Sequence, residues 1–407
     1  MALLLTGRVL VVACVLVACS SSCGCPVAAA AAMTTVDGIT AIYSFGDSIT
    51  DTGNLVREGA TDMLRYIGSR PYGIDLLRGV PTPTGRCSNG YLMIDFLAKY
   101  LGLPLLNPYL DKAADFTHGV NFAVAGATAL GATALAERGV TMPHTNSSLD
   151  VQLQWFRDFM ASATTNSSQG TSQVRRKLAS SLVMLEIGGN DFNYAFLQLQ
   201  TRPTGGGYGS GNVTRIVEIL EQVGALVPQV VQSITNAAKA LLEMGAVRVV
   251  VAGNLPIGCS PAYLSGANVT EPAAYDADGC LAVLNGFAEL YNAALRGAVA
   301  GLQRAHPRAV VAYADYFAAY ARVLREARAR GFDPARTRTA CCGAREAAAY
   351  GFRLGRFCGA PRTAVCKDRA RYVSWDGVHP TQHAYEAMAE LLYRGGLACP
   401  PPINWPG

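Results

Sequence analysis

The stretch Phe45-Gly46-Asp47-Ser48-Ile49-Thr50-Asp51-Thr52-Gly53-Asn54 lies directly after an apolar, β-rich run at residues 39–45. Such a run predicts a buried strand, and the Gly-Asp-Ser turn then puts Ser48 just past its carboxyl end. Open α/β sheets collect their functional groups at that edge. A serine hydroxyl is a weak nucleophile until a base takes its proton. A catalytic Ser48 therefore requires a histidine, a carboxylate to orient it, and donors for an oxyanion.

Four more apolar, β-branched runs follow, and segments with helical spacing lie between them. The predicted strands are 41–45, 119–123, 182–187, 247–252 and 309–313, and the main predicted helices are 149–160, 213–244, 281–305, 317–329 and 381–393. Alternating strands and helices predict a parallel sheet with helices on both faces, an α/β fold of three α/β/α layers. No repeat or long linker divides the chain, so we predict one domain over residues 38–400.

Composition excludes several classes of protein. With 407 residues, 50% apolar and 15% charged, the chain can bury a large core and is not disordered. The net charge of +5 is small for this length and is not gathered in a basic patch, so we expect no nucleic-acid partner.

The first 32 residues have the pattern of a secretory signal peptide. Arg8 precedes an apolar core at residues 9–18, and alanines at 28–32 suit a cleavage site. The apolar core is too short for a transmembrane helix, so we expect none in the mature chain. A bacterial lipoprotein box ending at Cys19 is the alternative interpretation. We predict a secreted protein, with the vacuole and the Golgi lumen as alternative destinations.

Eight cysteines follow the leader, an even number that predicts disulfides in an oxidising compartment. The local candidates are Cys259 with Cys280, and Cys341 or Cys342 with Cys358 and Cys366. Four Asn-x-Ser/Thr sequons predict possible N-glycans, at Asn146, Asn166, Asn212 and Asn268.

Two segments after predicted strands offer oxyanion donors. Gly126 follows the second strand, and its backbone N–H can approach a reacting atom because no Cβ intervenes. Asn190 lies in Gly188-Gly189-Asn190-Asp191 after the third strand and offers a side-chain amide. Taken alone, each also fits a structural role, Gly126 as a tight strand-to-helix turn and Asn190 as a cap on its own turn.

The base and its partner come from Trp375-Asp376-Gly377-Val378-His379-Pro380, near the end of the chain. Pro380 suits the first turn of a helix, which would hold His379 at an ordered position. Asp376 can fold back across Gly377 to accept a hydrogen bond from the ring. That bond would leave the other ring nitrogen free to take the Ser48 proton.

Competing interpretations are weaker. His379 and His383 have zinc-like spacing, but Pro380 stands where a metalloprotease has glutamate, so we expect no metal. Asp47 and Asp51 are too close in sequence to flank a glycosidic bond, and Asp47 suits turn capping better. The glycine-rich run at 205–209 lacks the Lys-Ser/Thr ending of a phosphate loop.

Together these segments resemble the SGNH, or GDSL-type, lipase and esterase family, and particularly its plant branch. The resemblance covers about residues 41–400 and includes Phe45-Gly46-Asp47-Ser48, Pro83-Thr84-Gly85-Arg86, Gly119-Val120-Asn121-Phe122-Ala123, Ile187-Gly188-Gly189-Asn190-Asp191 and Trp375-Asp376-Gly377-Val378-His379. Gly253-Asn254-Leu255-Pro256-Ile257-Gly258-Cys259 and Cys341-Cys342-Gly343 point to plants. No Gly-x-Ser-x-Gly elbow occurs, which excludes an ordinary α/β-hydrolase lipase.

The resemblance implies a flavodoxin-like sheet of five parallel strands, the SGNH hydrolase fold. It implies Ser48 as nucleophile, His379 as base, Asp376 as its partner, and an oxyanion hole from Gly126, Asn190 and the turn of Ser48. Cys87 and Tyr91 depart from the usual residues beside the presumed cleft, and His383 departs one turn after His379.

The sequence therefore predicts a secreted, glycosylated serine esterase that needs no cofactor. Its ester substrate is an acyl lipid, an acetylated polysaccharide or an ester of a small metabolite. An acyltransferase that uses the same triad is one alternative. A catalytically silent binding protein of the secretory pathway is the other.

Overall fold

The computed structural model describes residues 35–76, 84–141, 144–162, 170–201, 213–267, 269–344 and 349–405. From Thr35 onward the described residues belong to one compact unit. The predicted signal peptide at 1–32, the glycine-rich run at 205–209 and the sequons at Asn166, Asn212 and Asn268 lie outside the described residues.

Strand β1 (Ala41–Gly46) lies inside the main sheet and pairs with parallel neighbours on both sides. The other parallel strands are β2 (Gly119–Asn121), β3 (Ser181–Glu186), β4 (Arg248–Ala252) and β5 (Val310–Ala314). Their order, β2-β1-β3-β4-β5, is the flavodoxin-like order, which confirms the predicted fold. Two short antiparallel strands, β6 (Cys342–Gly343) and β7 (Ala364–Val365), form a separate ribbon.

The main sheet has a sixth strand that the sequence analysis missed. Strand β8 (Ala398–Cys399) lies antiparallel beside β5. A strand of two residues is too short to show an alternation of apolar and polar residues, so the sequence pattern could not predict it.

Helices cover both faces of the sheet, as predicted. Their bounds are α1 Asn54–Glu58, α2 Met93–Tyr100, α3 Ala132–Ala136, α4 Leu149–Ser162, α5 Gly170–Ala179, α6 Gly189–Thr201, α7 Val213–Gly224, α8 Val227–Met244, α9 Pro261–Ala267, α10 Ala282–Ala305, α11 Tyr316–Arg325 and α12 Gln382–Tyr393. The single helix predicted for 213–244 is wrong, because it is two helices. Pro228 lies in the first turn of α8 and lacks the N–H that a continuous helix would need there.

Alternate residues of β1 face opposite layers. Tyr43 and Phe45 pack against Phe156 of α4, with ring centroids 5.4 and 5.5 Å apart. Ile42 belongs instead to the apolar core formed with α2, α11 and α12. Because both faces of β1 are buried, its sequence shows no polar alternation. Among the described helices, none is long and apolar enough to cross a membrane.

Three disulfides form among the described cysteines: Cys259–Cys280, Cys341–Cys366 and Cys342–Cys358. The first confirms the predicted pair, and the others resolve the alternatives left open for the second group. The expectation that all eight cysteines pair is wrong, since Cys87 and Cys399 are free. Cys87 is buried in the core, whereas Cys399 is exposed on the edge strand β8.

Candidate active site

The turn after β1 places Ser48 at the carboxyl end of the sheet. A Cβ on Gly46 would lie 2.2 Å from the backbone oxygen of Glu186, so only glycine allows the ends of β1 and β3 to come this close. Asp47 accepts a hydrogen bond from the backbone N–H of Ile49 at 3.0 Å. This confirms the predicted turn cap. The next residue, Ser48, is 8% exposed and lines a cavity in front of the turn.

The three predicted residues Ser48, His379 and Asp376 meet at this edge. Ser48 Oγ lies 2.8 Å from His379 Nε2, although the two residues are 331 positions apart. His379 Nδ1 lies 2.7 Å from Asp376 Oδ2. All three side chains are buried, so water competes little for these hydrogen bonds.

Hydrogen bonds keep the Asp376 carboxylate ionised. Its Oδ1 accepts the backbone N–H groups of Val378 at 3.0 Å and His379 at 2.8 Å. Burial raises the pKa of Asp376, but the His379 ring and these hydrogen bonds outweigh burial and hold that pKa below its ordinary value. An ionised carboxylate only accepts, so His379 Nδ1 must donate to it. His379 Nε2 is then the acceptor for the Ser48 hydroxyl.

Tyr72 is a member of the site that the sequence analysis missed. Its buried hydroxyl donates to Asp376 Oδ2 at 2.8 Å, and its ring packs edge-on against Trp375. Burial and the neighbouring Asp376 charge raise the pKa of Tyr72 well above its ordinary value, so the phenol stays protonated. A lone tyrosine in a loop offered no pattern from which to predict this contact.

The turn between Asp376 and His379 depends on Gly377. Its φ is +98°, a conformation that glycine adopts freely, and a Cβ there would lie 2.4 Å from Phe352. Ser260 Oγ donates to the Gly377 carbonyl, and the Trp375 N–H donates to the His379 carbonyl at 2.8 Å. The histidine is therefore held by a braced turn.

The two predicted oxyanion donors line the same cavity as Ser48 and His379. Gly126 has φ +87°, and a Cβ there would lie 2.9 Å from both His144 Cβ and Tyr194 Oη. Tyr194 donates to the Gly126 carbonyl at 2.6 Å, which fixes the peptide that follows Gly126. Asn190 donates one amide N–H to the Ala127 carbonyl at 3.0 Å. An amide has two N–H groups, so the second is left for another acceptor.

Two buried carboxylates fasten the loop that carries Gly126. Asp51 Oδ2 accepts the Ala125 N–H at 2.9 Å, which ties that loop to the turn that carries Ser48. Asp191 accepts the N–H groups of Ala129 at 2.8 Å and Leu130 at 2.9 Å, which ties it to α6. Asp51 thus has a scaffold role, in agreement with the rejection of a glycosidase carboxylate pair.

Gln152 of α4 clamps the residue at the end of β1. Its Oε1 accepts the Gly46 N–H at 2.9 Å and its Nε2 donates to the Gly46 carbonyl at 2.8 Å. The side chain is fully buried, so both bonds are shielded from water. This contact fixes the peptide two residues before Ser48, and the helical pattern of α4 offered no sign of it.

Two acidic residues, Asp47 and Glu186, form a pair beside the turn that carries Ser48. Asp47 and Glu186 are both buried and hydrogen-bonded to one another. Burial raises the pKa of Asp47 to about 6, and burial together with the Asp47 charge raises the pKa of Glu186 well above its ordinary value. Glu186 therefore holds its proton and donates to Asp47.

The cavity in front of Ser48 has a volume of about 830 Å³. It is lined mainly by apolar and aromatic side chains, which include Tyr194, Phe196, Tyr263, Tyr275, Tyr350 and Phe352. Leu354 and Val378, two of the exposed large hydrophobic residues among those described, lie on the same lining. Such a surface favours an apolar ligand.

Three residues singled out in the sequence lie elsewhere. Cys87 and Tyr91 are buried and are not among the residues that line the cavity. His383 is half-buried, stacks on Phe332 with centroids 4.3 Å apart, and contacts the Ala370 carbonyl at 2.6 Å. Within the described ranges, no group of three or more His, Cys, Asp or Glu side chains could hold a metal ion.

Comparison with known proteins confirms the resemblance. The family model GDSL-like Lipase/Acylhydrolase matches residues 42–392. Two GDSL esterase/lipases of Arabidopsis thaliana are 39% and 40% identical to this chain over 366 and 367 residues, 89% of this chain and 87% of each relative. An acetylajmalan esterase of Rauvolfia serpentina is 38% identical over 357 residues, 87% of this chain and 84% of that protein.

Proposed function

Since this chain belongs to the GDSL-like lipase and acylhydrolase family and hydrolyses carboxylic esters, we propose that Ser48, His379 and Asp376 perform the hydrolysis as a catalytic triad. The single observation that carries the proposal is the contact of 2.8 Å between Ser48 Oγ and His379 Nε2. Asp376 supports it by fixing the ring tautomer that leaves Nε2 as the base.

Acylation begins when Ser48 Oγ attacks the ester carbonyl carbon while His379 Nε2 takes the hydroxyl proton. The carbonyl electron pair moves onto oxygen and gives a tetrahedral oxyanion. When that intermediate collapses, the bond to the alcohol oxygen breaks and the imidazolium proton passes to the leaving alcohol. The product is an acyl-Ser48 ester.

Deacylation repeats these steps with water. His379 takes a proton from water, the resulting hydroxide adds to the acyl carbon, and a second oxyanion forms. Its collapse breaks the bond to Ser48 Oγ, which regains its proton from the imidazolium, and the carboxylic acid leaves.

We assign the backbone N–H of Gly126 and the side-chain amide of Asn190 to the oxyanion hole. Both residues line the cavity with Ser48, and both are held by hydrogen bonds to neighbouring residues. Donors that are already in place need no reorganisation as charge develops on the oxygen. Removing one such donor lowers turnover by about 10²–10³-fold in comparable sites.

The proposed substrate is a small ester with an apolar body. The aromatic cavity of about 830 Å³ favours a ring-containing group. The name of one relative, acetylajmalan esterase, points in the same direction. These two observations favour a small-metabolite ester over an acyl lipid or an acetylated polysaccharide.

We also propose that the protein is secreted and glycosylated. Three disulfides suit an oxidising compartment. Asn146, the one sequon within the described residues, is exposed and accessible to a glycan.

The test combines labelling with turnover. A serine-directed phosphonate should label the native protein but not Ser48→Ala, and Ser48→Ala should lose hydrolysis of p-nitrophenyl acetate. Ser69→Ala is the matched control, since Ser69 is exposed and its hydroxyl donates to the Tyr66 carbonyl, away from the cavity. Residual turnover by purified Ser48→Ala above about 1% of wild type would contradict the proposal. A panel of esters set beside acetylated xylan would then identify the substrate class.

A further inference from the structure

A chain of side-chain hydrogen bonds runs from the oxyanion-hole amide to the cavity wall. Asn190 Nδ2 donates to the Ala127 carbonyl at 3.0 Å. Asn193 Nδ2 donates to Asn190 Oδ1 at 3.2 Å, and the Tyr263 hydroxyl donates to Asn193 Oδ1. All three side chains line the cavity that holds Ser48.

The fold accounts for this arrangement. Asn190 and Asn193 are three residues apart on α6, so their side chains lie on one face of that helix. Tyr263 comes from α9, which also lines the cavity. Burial raises the pKa of Tyr263 far above its ordinary value, so its hydroxyl remains a donor at any working pH.

The chain has only one consistent direction. The Ala127 carbonyl can only accept, so Asn190 presents its amide nitrogen to that carbonyl and its oxygen to Asn193. Asn193 then presents its amide nitrogen to Asn190 and its oxygen to the Tyr263 hydroxyl, which donates to it. If the Asn190 amide rotated by 180°, its nitrogen would face the Asn193 nitrogen and its oxygen would face the Ala127 carbonyl oxygen. Both hydrogen bonds would be lost.

We propose that Asn193, anchored by Tyr263, is a positioning residue that fixes the orientation of the Asn190 amide and so keeps its second N–H available for the oxyanion. The proposal rests on the proposed function, in which Asn190 is an oxyanion donor. Ala127 alone engages one end of the amide, whereas the Asn193 bond fixes the other end. Catalysis then depends on a residue that does not itself contact the reacting atoms.

The competing possibility is that Asn193 acts by binding substrate, since it lines the cavity. The two roles differ in kinetics. Loss of a substrate contact made equally in ground and transition states raises KM, whereas misorientation of an oxyanion donor lowers kcat. They also differ in coupling, because a positioning residue has no effect once the group that it positions is absent.

The experiment is a double-mutant cycle on hydrolysis of p-nitrophenyl acetate. We expect Asn190→Ala to lower kcat by about 10²-fold or more. Asn193→Asp keeps the shape and the acceptor for Tyr263 but removes the donor to Asn190, and we expect it to lower kcat by roughly 10-fold or more while KM stays within about twofold. Tyr263→Phe should lower kcat by a smaller factor. Asn236→Asp, at an exposed position on α8, controls for net charge alone. Asn193→Leu removes the same donor without placing a charge beside the oxyanion, so its kcat separates loss of the donor from the effect of the charge.

The double variant Asn190→Ala/Asn193→Asp decides the matter. If Asn193 acts through Asn190, this variant turns over as slowly as Asn190→Ala and no slower. A product of the two single effects, or a rise in KM with unchanged kcat for Asn193→Asp, would overturn the inference while leaving the triad intact. An Asn190→Ala variant with the kcat of wild type would also overturn the inference. Whether the proposed triad itself is correct is tested separately by Ser48→Ala. Melting temperatures confirm that each variant is folded.

Discussion

The Tyr72 hydroxyl and the His379 ring share one oxygen of Asp376. Tyr72 Oη lies 2.8 Å from Oδ2, and His379 Nδ1 lies 2.7 Å from the same atom. Asp376 Oδ2 therefore has a second donor besides the histidine ring, and this donor, Tyr72, is only 4% exposed. Because a hydrogen bond to an ionised group stabilises its charged form, Tyr72 helps Asp376 stay ionised beside the ring.

Tyr72→Phe is therefore expected to weaken catalysis without abolishing it. One donor to the carboxylate is lost, which costs about 1–3 kcal/mol for a buried charged acceptor. We expect kcat/KM at pH 7 to fall severalfold. Tyr66→Phe, at a half-buried tyrosine near Tyr72 in sequence, is the control. An unchanged kcat/KM in Tyr72→Phe would show that the Tyr72 hydroxyl plays no part in catalysis.

Asp376→Asn tests the tautomer argument. The oxygen of the substituted amide can still accept the Val378 and His379 N–H groups, so the turn should persist. The amide nitrogen would then face His379 Nδ1 and force that atom to accept. The ring proton moves to Nε2, which can no longer take the Ser48 proton. We expect kcat to fall by about 10³–10⁴-fold with little change in melting temperature. Activity within about tenfold of wild type would contradict the tautomer argument.

The acidic pair below Ser48 predicts a pH dependence of stability. In the unfolded chain both carboxyls ionise near pH ~4. In the folded protein the pKa of Asp47 is raised to about 6, and the pKa of Glu186 is raised well above its ordinary value. The folded state therefore binds more protons above pH ~4, and the free energy of unfolding falls as pH rises from there through the folded-state pKa values. For each such group the fall is at most ~1.4 kcal/mol per pH unit.

Glu186→Gln removes one of these protons while keeping a donor for Asp47. As pH rises from about 4.5 to 6.5, we expect the free energy of unfolding to fall less in Glu186→Gln than in wild type. Urea denaturation at each pH measures this difference. Asp376 has a lowered pKa, so it contributes stability that is lost on acidification, but this contribution is present in both proteins and cancels. Glu243→Gln, at an exposed glutamate of α8, is the control. If the free energy of unfolding changed equally with pH in Glu186→Gln and wild type, the Asp47–Glu186 pair would not be the cause of the pH dependence.

The sequence predicted the parts of the site that lie in contiguous motifs. Ser48, Asn190 and His379 each follow a buried apolar run or precede a helix, so their place at one sheet edge could be inferred from topology alone. The strands were predictable because residues such as Ile42 and Tyr43 are apolar on both faces of a covered sheet.

The supporting contacts could not be predicted in this way. Tyr72, Gln152 and Asn193 are single polar residues in a loop or on helices, and periodicity says nothing about which distant group they reach. Their partners, Asp376 and Gly46 among them, become neighbours only after the sheet assembles. The wrong expectation for Cys87 and Cys399 has the same cause. An even number of cysteines does not show that one of these two is buried in the core and the other is exposed, so that they cannot pair.

Gly126→Ala tests the oxyanion loop with a matched control. At φ +87° a side chain is strained, and the new Cβ would lie 2.9 Å from His144 Cβ and from Tyr194 Oη, so the peptide that carries the proposed donor must shift. Gly102 has a similar φ of +68°, but a Cβ there would meet no atom within 4 Å, so Gly102→Ala carries the backbone strain alone. We expect Gly102→Ala to lose about 1–2 kcal/mol of stability, and Gly126→Ala to lose more because its new Cβ also meets His144 and Tyr194. Only Gly126→Ala should lose about 10²-fold or more in kcat. Equal kcat values for the two variants would remove Gly126 from the oxyanion hole.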